Sequence, residues 1–253
     1  MNRETKNPGR VQKQRRTRGI LTLDSTDAAK VNGTDIDLGA AFSSGRMERY
    51  EQWSKASGQP THALYQLNTM LSKELYVALQ TVEVALRTHM HRAAAGVHGE
   101  RWVITPASFL DGAQRARIAK VKRRLSYKAA LTPDDVVAGL SLEFWTTLFG
   151  RAYDPEWRST FHRTFRKAAR TADGQKLTRA DVARSLDMLR SLRNRIAHHE
   201  PILHRPLADA YGNCETMLDW LSVDARAWLH KVCNFQAIFH PNSTLLMSLS
   251  GKR

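Results

Sequence analysis

Two cysteines, Cys214 and Cys233, are all that a chain of 253 residues contains. So few thiols, so far apart in sequence, exclude a disulfide framework and a four-ligand thiolate metal site; buried thiols in a reducing compartment are expected instead. Long apolar runs are missing too. None approaches the ~20 residues that cross a bilayer, and no hydrophobic segment follows the N-terminal charges as it would in a signal peptide. These absences lead to the expectation of a cytoplasmic protein without membrane contact. Acidic residues are scarce: 24 Asp and Glu stand against 39 Lys and Arg, a formal net charge of +15. Such an excess concentrates polyanions at the surface, nucleic acid first and acidic membrane second. Also lacking is sustained two-residue alternation, which argues against a sheet. No helix-turn-helix spacing is evident, which weakens a DNA-binding regulator as a reading.

What the chain does contain is a helical period, over a length sufficient for one buried core; 42% of its residues are hydrophobic. The first 19 residues hold seven basic side chains (Arg3, Lys6, Arg10, Lys13, Arg15, Arg16, Arg18) and one acid, Glu4. With little apolar surface to offset ordering, they are expected to form a disordered basic arm. That arm is open to three readings: a solvated tail, residues ahead of the true start codon, or a sequence-blind phosphate contact. Residues 20 to 42 read as a weakly apolar linker able to hold a short extended segment, and residues 241–253 as a C-terminal tail.

Residues 43–240 read as one all-α domain. A short helix is expected over SSGRMERYEQW, then a long one from Pro60 to Arg92. Along it Leu64, Leu67, Leu71, Leu75, Leu79, Val82 and Leu86 recur at three- and four-residue steps. The segment RARIAKVKRRLSYK reads as a basic helix with Ile118, Val121 and Leu125 on one side. Its cations include Arg115, Arg117, Lys120, Lys122, Arg123 and Arg124, which form either a solvated face or a grip on an RNA backbone, giving affinity with little sequence choice. A single helix is expected over LTPDDVVAGLSLEFWTTLF, with Thr132 as N-cap, Pro133 in the first position and Asp135 closing a capping box. Another is expected over PEWRSTFHRTFRK, and two more around ADAYGNCETMLDWL and VDARAWLHKVC. The aromatics Phe144, Trp145, Trp157, Phe161 and Phe165 recur at helical steps and read as core. His89, His91, His162, His204, His230 and His240 lack carboxylate or thiol company at ligand spacing, so solvated or core histidine is the expectation for each.

The stretch RNRIAHHEPI, residues 193 to 202, concentrates polar chemistry. Thr178 and Asp181 predict a capping box at the start of its helix, and Val182, Leu186, Leu189, Leu192 and Ile196 build a buried stripe. The helix should end near His199, because Glu200 precedes Pro201 and is pushed away from helical geometry. Asn194 and His198 lie four apart on one face, whereas Arg193 and His198 are about 140° apart around the helix. Arg193 then reaches the neighbourhood of His198 only through its long side chain or by meeting a second copy of the motif, a geometry that favours a dimer.

Cleaving RNA without a metal needs a group to take the 2′-hydroxyl proton, one to protonate the leaving oxygen, and positive charge where the phosphorane gains negative charge. A histidine of ordinary pKa, about 6.5, can perform either proton transfer at neutral pH. Arginine supplies planar, permanent charge that grips phosphate with two bonds, and asparagine orients phosphate or imidazole. Glu200 is the sole nearby carboxylate for Mg²⁺, so no metal and no cofactor are expected. The alternative is structural: basic residues in the last turn of a helix complement its dipole and cap its carbonyls.

The segment LRSLRNRIAHHEPIL, with VAGLSLEFWTTLF before it and ALYQLNTMLSKELYVALQTVEVALRTHM far upstream, resembles the Abi-like abortive-infection family of bacteria, a branch of the HEPN superfamily. The likeness runs over roughly residues 45–235, with the blocks in the same order. It implies a HEPN-type helical bundle and a metal-independent ribonuclease site assembled between two HEPN units, leaving a 2′,3′-cyclic phosphate. Arg193, Asn194 and His198 fall on the family's arginine, polar and histidine positions. His199 lies within the permitted spacing too and is a possible support, as is Glu200. Relatives often carry Glu-Val-x-Leu-Arg-Asn upstream. This chain keeps Glu83 and Arg87, which either brace the motif or form an ion pair that steadies the long helix, but has Thr88 where asparagine is usual. The implied role is a phage-defence toxin acting on RNA as a homodimer, with an antitoxin or a phage-derived trigger as a possible further partner. The competing expectation is a catalytically idle HEPN module that binds RNA or a protein.

Overall fold

The computed structural model describes residues 38–240, together with the pairs Lys30–Val31 and Thr34–Asp35 and the single residue Leu249. The basic arm expected over the first 19 residues lies outside them. The described chain is all-α. Two two-residue strands, β1 (Lys30–Val31) and β2 (Thr34–Asp35), pair antiparallel ahead of the helices, within the linker read as able to hold an extended segment. A five-residue helix, α1 (Leu38–Phe42), leads into α2 (Ser44–Ser57).

The axis of the fold is α3 (Thr61–His98), 38 residues long, which at 1.5 Å per residue spans about 57 Å. Its leucine stripe explains why it persists. Leu64, Leu71, Leu75, Leu79, Val82 and Leu86 are all buried, and Leu67 packs against the same core. The helices that follow are α4 (Gly112–Arg124), α5 (Pro133–Gly139), α6 (Leu142–Thr147), α7 (Asp154–Ser159), α8 (Arg179–Ala197), α9 (Leu207–Leu221), α10 (Val223–Val232) and α11 (Phe235–Ile238); α5, α6 and α8 to α11 pack on α3, and α4 packs on α5. Phe144, Trp145 and Phe161 are fully buried and Phe165 nearly so, while Trp157 packs on the core's edge. Leu249 is 3% exposed and joins the core from the stretch read as a tail. Cys214 is buried and Cys233 half-buried, both as free thiols; burial pushes the Cys214 thiol up to about 12, which keeps it protonated and unreactive.

Two segments read as single helices are broken. Between Leu131 and Phe149 the chain forms α5, leaves helical geometry at Leu140 (φ −77°, ψ 138°) and Ser141, and restarts at Leu142. The cause is tertiary. Gly139 lies against α4 so closely that a Cβ there would stand 2.6 Å from Val121 Cγ1. The two last carbonyls of α5 are taken by arginines from other helices: Arg87 of α3 donates to Ala138 O (3.3 Å) and Arg124 of α4 to Gly139 O (3.0 Å). The PEWRSTFHRTFRK segment is likewise α7 followed, after the buried Thr160, by a 3₁₀ turn over Phe161–Thr164, because Phe165 turns extended to enter the core.

Candidate functional site

Helix α8 is positioned from both ends. At its start the expected capping box is present, with Thr178 and Asp181 each accepting from the other's backbone. Arg179 ties this end to Asp154 and to the carbonyl of Phe149. In mid-helix the Asn213 amide of α9 donates to Ser185 O at 2.9 Å, and the Ser185 hydroxyl donates to Asn213 Oδ1. Val182, Leu186, Leu189, Leu192 and Ile196 are buried, as their spacing predicted. Arg184, Asp187, Met188, Ser191, Asn194 and His198 are left on the solvent side.

The C-terminal end of α8 is a tight corner. His198 is the cap residue, its N–H donating to Asn194 O (2.9 Å). His199 follows with φ +56°, in left-handed backbone that non-glycine residues rarely adopt. Its N–H donates to Ile196 O and that of Glu200 to Arg195 O. This is the Schellman pattern, built here without glycine. Three further bonds hold it. The Arg195 guanidinium pairs with the Glu200 carboxylate at 2.9 Å, Arg46 of α2 donates to His199 O at 2.7 Å, and the buried Asn68 of α3 accepts from Ile202 N–H at 2.8 Å. The segment after the motif is anchored by Ile202 and Leu203, both buried.

Arg193 and Asn194 line a cleft of about 120 Å³ with Arg190 of the same helix and Ser141, Leu142 and Glu143 from the start of α6. It is smaller than the roughly 300–1,000 Å³ of small-molecule clefts, and matches a single anionic group better than a cofactor. Arg190 pairs with Asp187 at 3.4 Å. Glu143 is paired with Arg117 of α4 at 2.7 Å, which offsets part of the negative charge it brings to the cleft. The Arg193 side chain makes no hydrogen bond or ion pair among the described residues, nor does that of His198 or His199. Arg193 is half-buried, Asn194 and both histidines exposed.

Arg193 and Asn194 are thus brought together in the cleft, and His198, one turn on from Asn194 on the same face, is not part of its lining. It lies at the exposed helix end, about 140° around the helix from Arg193. Glu83 and Arg87 pair at 3.2 Å, both largely buried, and Arg87 spends its remaining reach on the end of α5, so neither belongs to the cleft. The basic set on α4 is divided. Arg115 donates to Ser108 O, Lys122 to Ile104 O, Arg124 to Gly139 O, and Arg117 to Glu143. Lys120 and Arg123 are exposed and make no such bond among the described residues. Sequence reasoning missed Ser141, Glu143 and Arg190. Arg190 was readable, three residues before Arg193 on the same face; the α6 residues were not, since the break at 139–141 that presents them is tertiary.

Among the described residues no three His, Cys, Asp or Glu side chains gather as metal ligands, and no helix is long and apolar enough to cross a membrane. No protein-family model, curated protein or solved structure matches the chain.

Proposed function

We propose that the protein is a metal-independent endoribonuclease of the HEPN kind, a phage-defence toxin of the cytoplasm whose active site is completed by two copies of the chain. The observation that supports it best is the state of Arg193 and His198. A half-buried guanidinium with no partner among the described residues lines a small cleft, and an exposed imidazole with none among them sits at the end of the same helix. Basic residues at this end also complement the dipole of α8, but that role does not need a guanidinium turned into a cleft.

In this reading Arg193 holds the scissile phosphate and Asn194 orients it. His198 of one copy takes the proton from the 2′-hydroxyl as the 2′-oxygen bonds to phosphorus. The bond from phosphorus to the 5′-oxygen breaks, and the leaving oxygen receives a proton from the imidazolium of the second copy's motif. The products are a 2′,3′-cyclic phosphate and a 5′-hydroxyl. Negative charge that grows on the phosphoryl oxygens meets a guanidinium already in place. His199, whose carbonyl is held by Arg46 and whose backbone makes the corner, is a support for the position of His198. Release by a phage-derived trigger, or restraint by an antitoxin, belongs to the same proposal.

One observation favours a second reading. His198 is the cap of α8 and lies outside the cleft lining, as it would in an idle module that binds RNA or a protein and does not cut. Incubation of the purified protein with RNA in EDTA separates the two: fragments ending in cyclic phosphate support the enzyme, and retention of intact RNA supports the module.

A further inference from the structure

The corner at the end of α8 gathers more positive charge than the motif itself. Arg46 and Arg49 rise from α2, Arg195 from α8, and Arg205 from the connection to α9. Arg46 is bonded to His199 O. The Arg49 guanidinium lies over the Trp53 ring at 5.2 Å, and that ring is 5.8 Å from the imidazole of His204, the neighbour of Arg205. Burial holds His204 below its ordinary pKa, and Arg195, Arg49 and Arg205 push it the same way, so three guanidiniums from three separate segments act on one imidazole. Its Nδ1 is buried without a partner among the described residues.

The acids nearby leave most of this charge uncompensated. Glu200 pairs with Arg195 and Glu48 accepts from Gln52, while Glu51 makes no ion pair among the described residues. Arg46, Arg49 and Arg205 have no carboxylate partner among them either. Like charges held together cost stability, so their convergence from distant parts of the chain calls for an anion. The four large basic side chains of α4 that are tied into the fold cannot supply the same grip.

We infer that Arg49 and Arg205, flanked by Arg46 and Arg195, form a phosphate-binding surface that holds single-stranded RNA beside the bond to be cut. The inference rests on the ribonuclease reading and adds to it the path of the strand: across the exposed His198 and His199 toward α2, and away from the basic face of α4. Single-stranded RNA is favoured over duplex because the surface is a corner of arginines without an element shaped to enter a groove, and flexible strands let successive phosphates reach such a cluster.

The test measures binding of a fluorescent single-stranded RNA to the full-length protein in EDTA over a range of salt, in the His198→Ala background so that the strand stays whole. Each phosphate contact on a single strand contributes about 0.7 to the slope of log K against log salt. The Arg49→Gln/Arg205→Gln pair is expected to lower that slope by about 1.4 and Arg205→Gln alone by about 0.7, whereas Lys120→Gln/Arg123→Gln leaves it nearly unchanged. An unaltered slope in the first pair, with unaltered melting, overturns the surface, and so does a loss carried by the α4 pair instead. Should the double variant melt early, the single Arg205→Gln change decides. Equal binding of DNA of the same sequence overturns the assignment to RNA. If the protein cleaves RNA but the slope does not respond, only this surface fails; if it neither binds nor cleaves, the reading beneath fails as well.

Discussion

Arg46 of α2 donates a 2.7 Å hydrogen bond to the carbonyl of His199, the residue that turns the end of α8 through left-handed backbone. The two are 153 positions apart, so a segment near the start of the described chain holds the corner that displays His198.

The corner itself makes a prediction. A non-glycine residue at φ +56° carries a conformational cost of about 1–2 kcal/mol, partly offset by the extra freedom glycine would gain in the unfolded chain. His199→Gly is therefore expected to raise stability by up to about 1 kcal/mol in thermal or denaturant unfolding, and His199→Val to lower it by more than that. Both should retain RNA cleavage if His198 carries the proton. Lost cleavage with unchanged stability in His199→Gly would move that role to His199.

Removing the anchor behind the corner should be felt more strongly. Asn68 is 6% exposed and accepts from Ile202 N–H. Asn68→Ala leaves a buried N–H without a partner, at a cost of about 1–3 kcal/mol. Urea unfolding measures the loss, and hydrogen exchange should show faster exchange at Ile202 than in mid-α8.

Much of this architecture was legible beforehand. Both capping boxes, at Thr132 and Thr178, follow from a Thr-x-x-Asp spacing that needs only neighbours in sequence, and the stripes of α3 and α8 follow from leucine period. The end of α8 was readable from Pro201. What escaped was set by distant partners. The division of α5 from α6 depends on Val121 of α4 pressing on Gly139, and the destinations of Arg87 and Arg124 are carbonyls that this division leaves without helical donors. A string of cations on one helix cannot reveal which will be consumed inside the fold. The cleft beside Arg193 was half legible: α8 contributes its three residues in register, and Glu143 arrives from a helix start that the sequence conceals.

The Arg87 brace predicts a structural phenotype. Arg87→Ala forfeits the bond to Ala138 O and the pair with Glu83, groups 19% and 17% exposed. Partial exposure screens the pair, so a loss of about 1–2 kcal/mol is expected, chiefly from the uncapped carbonyl. Cleavage per folded molecule should not change; a drop in cleavage without a drop in melting temperature would place Arg87 in the active machinery.

Acid should weaken the fold before it protonates the carboxylates. His89, His91 and His204 are all held below the ordinary imidazole pKa of about 6.5, first by burial. Trp102 Nε1 donates to His91 Nδ1 at 2.9 Å, a bond that needs this nitrogen unprotonated. The unfolded chain binds these protons more readily, so their contribution is complete above about pH 6.5 and declines as pH falls below it. Asp111, Asp135 and Asp181 have lowered carboxyl pKa values and withdraw their contribution only below their ordinary value near 3.9. Melting temperature should therefore fall between about pH 7 and pH 5, and His91→Gln should flatten that slope; a flat profile in the parent would contradict the account.

The most direct test compares the parent, Arg193→Ala and His198→Ala in EDTA with total RNA. The account predicts fragments bearing 2′,3′-cyclic phosphate ends from the parent, at least about a hundredfold less from His198→Ala, as removal of a general acid–base group implies, a comparable loss from Arg193→Ala, and melting curves that nearly coincide. Cyclic-phosphate fragments from His198→Ala at the parent's rate, or none from the parent, would contradict it.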